Sequence, residues 1–152
     1  MKLTVAAVGR LRPAYRAIAD EYVERLTRYG TFREVEVKEA ARSAAPAVQM
    51  RDEAARLRDK VPAESRIIVL DRGGRSLSSE ALARHLDAWR IGAKPVGLVI
   101  GGSHGLDPAL VRGADLSWSL GMLTLPHELA RVVVLEQLYR AWTILHGEPY
   151  HK

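Results

Sequence analysis

Three short segments carry the residues best suited to holding a small polar ligand. They are Leu70-Asp71-Arg72-Gly73-Gly74-Arg75, Gly101-Gly102-Ser103-His104-Gly105 and Leu120-Gly121-Met122-Leu123-Thr124-Leu125-Pro126. Glycine permits positive φ and close backbone approach, so the first two can offer bare N–H and C=O groups to a planar polar molecule. The second is neither G-x-G-x-x-G nor a P-loop, because its glycines fall at positions 101, 102 and 105 and no Gly-Lys-Ser/Thr follows. Taken alone it reads first as a plain turn. The third is apolar at Leu120, Met122, Leu123 and Leu125, whereas loops are normally polar surface features. Such a segment should cover something, either a buried crossing or an adenine ring. A fourth set lies at the end of the chain: Arg131, Glu136, Tyr139, Arg140 and Trp142, then Tyr150, His151 and Lys152. Aromatic and basic side chains at an ordered end can stack on bases and contact phosphates. The plainer alternatives are a solvated helix stripe and a frayed terminus.

Other chemistries are poorly represented. The histidines are His85, His104, His127, His146 and His151, and no two make an i, i+4 metal pair with a helping carboxylate. His85 and His146 are expected on helix surfaces, while His104 and His127 sit where a structural or a functional role is possible. There is no Gly-x-Ser-x-Gly elbow. The chain has no cysteine, which excludes disulfides, thiolate zinc sites and cysteine nucleophiles. Lys and Arg number 23 against 18 Asp and Glu, a net charge of +5 that suits an anionic partner, nucleic acid first among them.

These residues need a scaffold. At 152 residues and 47% apolar composition the chain is expected to form one domain, residues 1–152, with its own core. Residues 2–8 read as a buried strand rather than a signal peptide, since charge returns at Arg10 and Arg12. No apolar run approaches the roughly 20 residues that span a bilayer, so a cytoplasmic protein is expected. Pro13 opens a helix whose apolar face is Ile18, Tyr22, Leu26 and Tyr29, stopped by Gly30. Residues 31–37 form a strand with Val35 and Val37 on one face and Glu34 and Glu36 on the other. An Ala-rich mobile loop, 40–47, leads to a helix that starts at Pro46 and runs to about Lys60.

From residue 66 the pattern is that of a sheet covered on both faces. Arg66 to Asp71 and Val96 to Ile100 are continuous apolar runs. The first ends in a glycine turn at 72–75. Ser78 caps a helix buried through Leu82, Leu86 and Trp89, with Glu80 in its first turn. Asp107-Pro108 is an N-cap pair for a short helix ending near Gly113, and residues 116–120 are a short strand. Thr124 and Pro126 announce a last helix running to about Leu145 and closed by Gly147. Strands alternating with helices give an α/β fold with a mostly parallel sheet flanked by helices. In such sheets ligands bind beyond the carboxyl ends of the strands, where the three loops fall.

Taken in order, Leu98-Val99-Ile100-Gly101-Gly102, Gly105-Leu106, Ser117-Trp118-Ser119-Leu120, Thr124-Leu125-Pro126-His127, Glu136-Gln137-Leu138-Tyr139-Arg140-Ala141-Trp142 and Pro149-Tyr150-His151 match a known pattern. The chain resembles the SPOUT methyltransferases, in particular the small ones that modify the large-subunit ribosomal RNA. The opening Met1-Lys2-Leu3 and Ala7-Val8-Gly9 extend the likeness over the whole length, whereas 38–64 adds almost nothing. The resemblance implies a C-terminal part tied in a deep trefoil knot, contrary to the usual rule that chains do not thread loops. It also implies a homodimer, S-adenosylmethionine as methyl donor, no metal, and methylation of N3 of a pseudouridine in 23S rRNA of the assembled ribosome.

By matching positions, the resemblance places the donor at Leu70, Gly101, Leu120, Gly121, Met122, Leu123, Thr124 and Leu125. It places catalysis and RNA handling at Glu136, Arg140, Tyr150 and His151, with His151 or Glu136 to accept a proton and Arg140 to steady developing negative charge. Lys152 stands where Arg is common, which keeps the charge and loses the bidentate fork. His104 stands where many relatives have Glu or Asp. Arg10, Arg12 and Arg16 are expected to widen the RNA footprint. Two other readings are a nucleotide-binding α/β hydrolase that holds phosphate on 101–105, and a non-catalytic basic domain that binds the ribosome.

Overall fold

The computed structural model describes residues 1–152. The elements run β1 (Lys2–Val8), α1 (Pro13–Leu26), β2 (Thr31–Val37), α2 (Pro46–Lys60), β3 (Arg66–Ser76), α3 (Ser79–Ile91), β4 (Val96–Ile100), α4 (Pro108–Arg112), β5 (Leu116–Ser119) and α5 (His127–Leu145). The strands form one sheet in the order β2-β1-β4-β3-β5. Every neighbouring pair is parallel.

Both faces of that sheet are covered, for reasons visible in the side chains. Leu3, Val5 and Ala7 of β1, Ile68 of β3 and Val96, Leu98 and Ile100 of β4 pack into a large core with α1, α3 and α5. The alternate residues Ala6, Val8, Ile67, Val69 and Val99 form a smaller core with Val37, Leu57, Val61 and Leu106. Period-2 alternation thus feeds two apolar layers, which is why the buried stretches of these strands are apolar apart from Thr4 of β1. Gly97 belongs to this packing, because a Cβ there would lie 2.8 Å from the Val61 side chain.

Several local expectations are corrected. In α1 the buried face is Ala19 and Leu26 with half-buried Tyr22 and Val23, and Ile18 is 46% exposed. The helix packs on α5 one residue around from the face read off Ile18. The Arg72–Arg75 turn is an excursion inside a longer strand. Leu70 and Arg75 both pair with Trp118, so 71–74 loop out and β3 then resumes to Ser76. Gly74 makes this possible, because a Cβ there would sit 2.6 Å from the Ser117 carbonyl. Ser78 caps α3 by accepting from Ala81 N–H at 3.1 Å. Asp107, by contrast, makes no side-chain cap bond to α4; its carbonyl accepts from Val111 N–H at 3.1 Å. Pro126 occupies the N-cap position of α5, and Thr124 lies outside the helix without a capping bond. The 40–47 segment is tethered at buried Ala40, whose N–H donates to Glu53 at 3.1 Å.

Candidate active site

Beyond the carboxyl ends of β3, β4 and β5 lies a cleft of about 380 Å³. The three loops meet there. Leu70, Gly101, Leu120, Gly121, Leu123, Thr124 and Leu125, all expected at a donor site, line it. Met122 does not line it; its side chain is fully exposed. Asp71, Arg72 and Ser103, which belong to the loops expected there, line it too, and of the polar lining residues sequence reading missed Ser119. Ser119 gave no signal of its own, because it reads as the end of a short strand. His127 lines the cleft, whereas His104 is exposed and outside it.

The backbone explains the shape. Gly101 to Gly105 is a tight turn, with Gly105 N–H donating to Gly102 carbonyl at 3.0 Å and Gly105 at φ +83°. A Cβ on Gly101 would meet the Gly105 carbonyl at 2.6 Å. At the start of the third loop Ser119 Oγ accepts from Gly121 N–H at 3.2 Å. The backbone N–H groups of 122–125 bond nothing else in the chain. Unpaired amides beside an apolar wall of Leu120, Leu123 and Leu125 suit a flat heteroaromatic ring that needs edge contacts as well as burial.

The third loop carries the chain across the strand ends to β1, where α5 begins. Arg131 fastens that start. Its guanidinium is 1% exposed and donates to Val8 carbonyl (3.1 Å), Gly9 carbonyl (2.8 Å), Glu34 (3.2 Å) and Glu36 (2.7 Å). The acidic face of β2 is therefore held against a buried cation, and Arg131 does not sit on a solvated stripe. Arg16 also pairs with Glu34, which raises the Arg16 pKa. Arg12 pairs with Glu128 at 2.9 Å. Backbone and side-chain donation from Arg12 lower the Glu128 pKa. Of the three arginines expected to extend an RNA footprint, only Arg10 lacks an acidic partner.

The expected catalytic residues form a second, separate constellation. Arg140 donates to Glu136 from Nε at 3.0 Å and from Nη2 at 2.6 Å. Tyr150 donates to the same carboxylate oxygen at 3.1 Å, with its ring 4.7 Å under the Arg140 guanidinium. His151 Nδ1 lies 3.4 Å from Arg140 Nη1, and its Nε2 lies 2.9 Å from Glu80. Glu136 raises the Arg140 pKa, and burial, then bonds to Tyr22 and Glu136, push the Tyr150 phenol up. The tail is ordered, not frayed: Glu148 also accepts from Tyr29 at 2.8 Å. Glu80, at the start of α3, is the member that sequence reading missed, having been taken as a helix-terminal acid. None of Glu136, Arg140, Tyr150 or His151 lines the cleft. Along α5, Arg140 is about 15 Å from cleft-lining Ala130.

Comparison with known proteins decides the family. The family described as "Predicted SPOUT methyltransferase" matches residues 1–151. This chain belongs to the SPOUT methyltransferases. Among its relatives is the Ribosomal RNA large subunit methyltransferase H of Anaeromyxobacter dehalogenans (strain 2CP-1 / ATCC BAA-258), 47% identical over 100% of both chains. Proteins of the same name from Methylobacterium nodulans and Coxiella burnetii are 46% and 43% identical. They cover all of this chain and 98% and 100% of their own. A solved tRNA (m1G37) methyltransferase from Aquifex aeolicus shares the fold, with a TM-score of 0.56 and 13% identity over 92% of this chain and 70% of that one. A SPOUT methyltransferase is an enzyme, and neither the hydrolase nor the non-catalytic ribosome-binding reading fits that membership.

Proposed function

We propose that this methyltransferase carries a methyl group from S-adenosylmethionine to N3 of a pseudouridine in 23S rRNA of the assembled ribosome. It works as a cytoplasmic homodimer of single-domain chains, without a metal. The observation that carries the reading is the cleft made by three loops at the strand ends, in a chain that matches rRNA methyltransferases over its full length. Leu70, Gly101 and the run Leu120 to Leu125 hold the donor, with Met122 at the rim. The unpaired amides of 122–125 supply edge contacts for its adenine. The crossing of 120–126 over the ends of β3 and β4 is the part of the chain that would thread the implied knot.

The donor supplies a methyl carbon made electrophilic by a positively charged sulfur. The chain must orient a base against it, exclude water and handle one proton. Arg140, fixed by Glu136 and Tyr150, steadies the negative charge that develops on the base oxygens. His151 or Glu136 accepts the N3 proton, directly or through water. The separation of cleft and tail along one α5 supports the dimer, since a second copy is the simplest source of a tail that reaches the cleft.

Mass spectrometry of 23S rRNA from cells with and without the protein tests the reaction. Loss of one methyl on a pseudouridine is expected, and identical spectra would refute it. Arg140→Ala and His151→Ala are expected to lower methylation at least about 100-fold, while calorimetry shows unchanged S-adenosylhomocysteine binding. Ribosomes methylated at the parent rate by both variants would remove these roles.

A further inference from the structure

Glu80 is the one acid that touches the tail histidine, and it lies 71 residues away in sequence. Its carboxylate is anchored at the start of α3. The helix backbone, then Ser78, then His151 hold its pKa down to about 2, so it is an anion at any working pH. An anion 2.9 Å from His151 Nε2 keeps the proton on that nitrogen. The other ring nitrogen, Nδ1, then carries a lone pair. That lone pair faces Arg140 Nη1 at 3.4 Å, a long contact that an arriving substrate can displace. The charged groups around the ring are Glu80 from α3, Arg140 with Glu136 behind it from α5, and Lys152 next in the chain.

Glu136 is poorly placed to compete as a base. One of its oxygens already accepts from Arg140 twice and from Tyr150, and the other accepts from Gln137 at 2.7 Å. A carboxylate so heavily bonded has little lone-pair capacity left to receive a proton from substrate.

Resting on the proposed reaction and deepening it, we propose that Glu80 is a positioning residue that makes His151 Nδ1 the proton acceptor. Glu80 holds the imidazole in the Nε2–H tautomer and stabilises the imidazolium that forms. The N3 proton moves to Nδ1, the N3 electron pair forms the new bond to the methyl carbon, and the sulfur–carbon pair stays on sulfur. His151 later returns its proton to water. Beside it, Arg140 meets the base oxygen. The logic is that of a carboxylate behind a general-base histidine, and the carboxylate itself is never protonated.

The test uses full-length protein, ribosomes and S-adenosylmethionine, with Glu80→Gln and His151→Ala compared to the parent. Glu80→Gln keeps the side-chain shape and removes the charge. It should lower kcat about tenfold or more and move the acid limb of the kcat–pH profile to lower pH, because the imidazolium loses its counter-charge. KM for the donor and S-adenosylhomocysteine binding should be unchanged, which also confirms folding. Nitrogen-15 spectra of the His151 ring should show the Nε2–H tautomer in the parent and a mixture in the variant. A Glu80→Gln enzyme with the parent kcat and pH profile, or parent-like ring nitrogens, overturns the assignment. If His151→Ala also turns over at the parent rate, the catalytic role of the tail fails. If His151→Ala is inactive while Glu80→Gln is normal, only the Glu80 inference falls.

Discussion

Replacing Arg131 by Met keeps much of the side-chain volume and removes four hydrogen bonds and a charge that is 1% exposed. Breaking a buried ion pair from one side costs roughly 3–5 kcal/mol, because the remaining charge stays buried without compensation. Here the lower end applies. Glu34, 5% exposed, keeps Arg16, and Glu36 is 30% exposed and still accepts from Leu11 N–H at 2.8 Å. The carbonyls of Val8 and Gly9 lose a donor. The expected loss is therefore about 3 kcal/mol. At about 2.1 cal/mol/K of unfolding entropy per residue, a chain of this length should melt about 9 °C lower. Urea denaturation of both proteins at one fixed concentration measures the change, since the stability of an associating chain depends on concentration. Arg90→Met is the control. Its pair with Asp87 is 2.6 Å long but the side chains are 54% and 39% exposed, so under about 0.5 kcal/mol is expected. An Arg131→Met loss below about 1 kcal/mol, or one no larger than the control, would refute the clamp.

Three further outcomes follow from the cleft, the tail and α3. Gly101→Ala places a Cβ 2.6 Å from the Gly105 carbonyl, backbone that cannot step aside. Affinity for S-adenosylhomocysteine should fall about tenfold or more, whereas Gly113→Ala, 3.4 Å from Ala109 carbonyl, should bind normally by calorimetry. Mixed Gly101→Ala and Arg140→Ala proteins should recover methylation that neither has alone if cleft and tail come from different copies. Burial, then Arg75, Arg84 and Arg66, lower the His85 pKa below 6.5. The folded state thus binds fewer protons than the unfolded one, and stability falls as pH drops through 6.5 toward the folded value. His85→Gln should flatten that part of a stability–pH curve measured by urea denaturation, and an unchanged slope would count against it.

How much of this the sequence carried depends on the range of the interaction. The continuous runs at 66–71 and 96–100 declared a sheet buried on both faces, because such burial leaves no polar positions. Ser78, Pro46 and Gly147 marked helix ends, since capping is local. The three loops that line the cleft were legible for the same reason: strand, glycine and turn follow one another along the chain. What failed was non-local. Ile18 fits the helical face by spacing, yet α5 meets α1 around Ala19. Glycines at 73 and 74 read as a turn, but pairing with Trp118 draws the strand onward past them. Arg131 looked solvated because its partners, Glu34 and Glu36, lie nearly a hundred residues away.

Glu80 shows the same limit at the candidate site. Nothing within its own helix distinguishes it from an acid that merely favours the helix N-terminus. It acquires a different role only because the tail folds back over α5 and α3 and sets His151 against it. The tail is itself held by contacts from three elements: Tyr29 after α1, Glu136 and Arg140 on α5, and Glu80 on α3. A terminal segment fixed at that many points has lost most of its conformational entropy before any substrate arrives. Orientation of Arg140 and His151 is thus established by folding, so less of the ordering cost falls on the encounter with RNA.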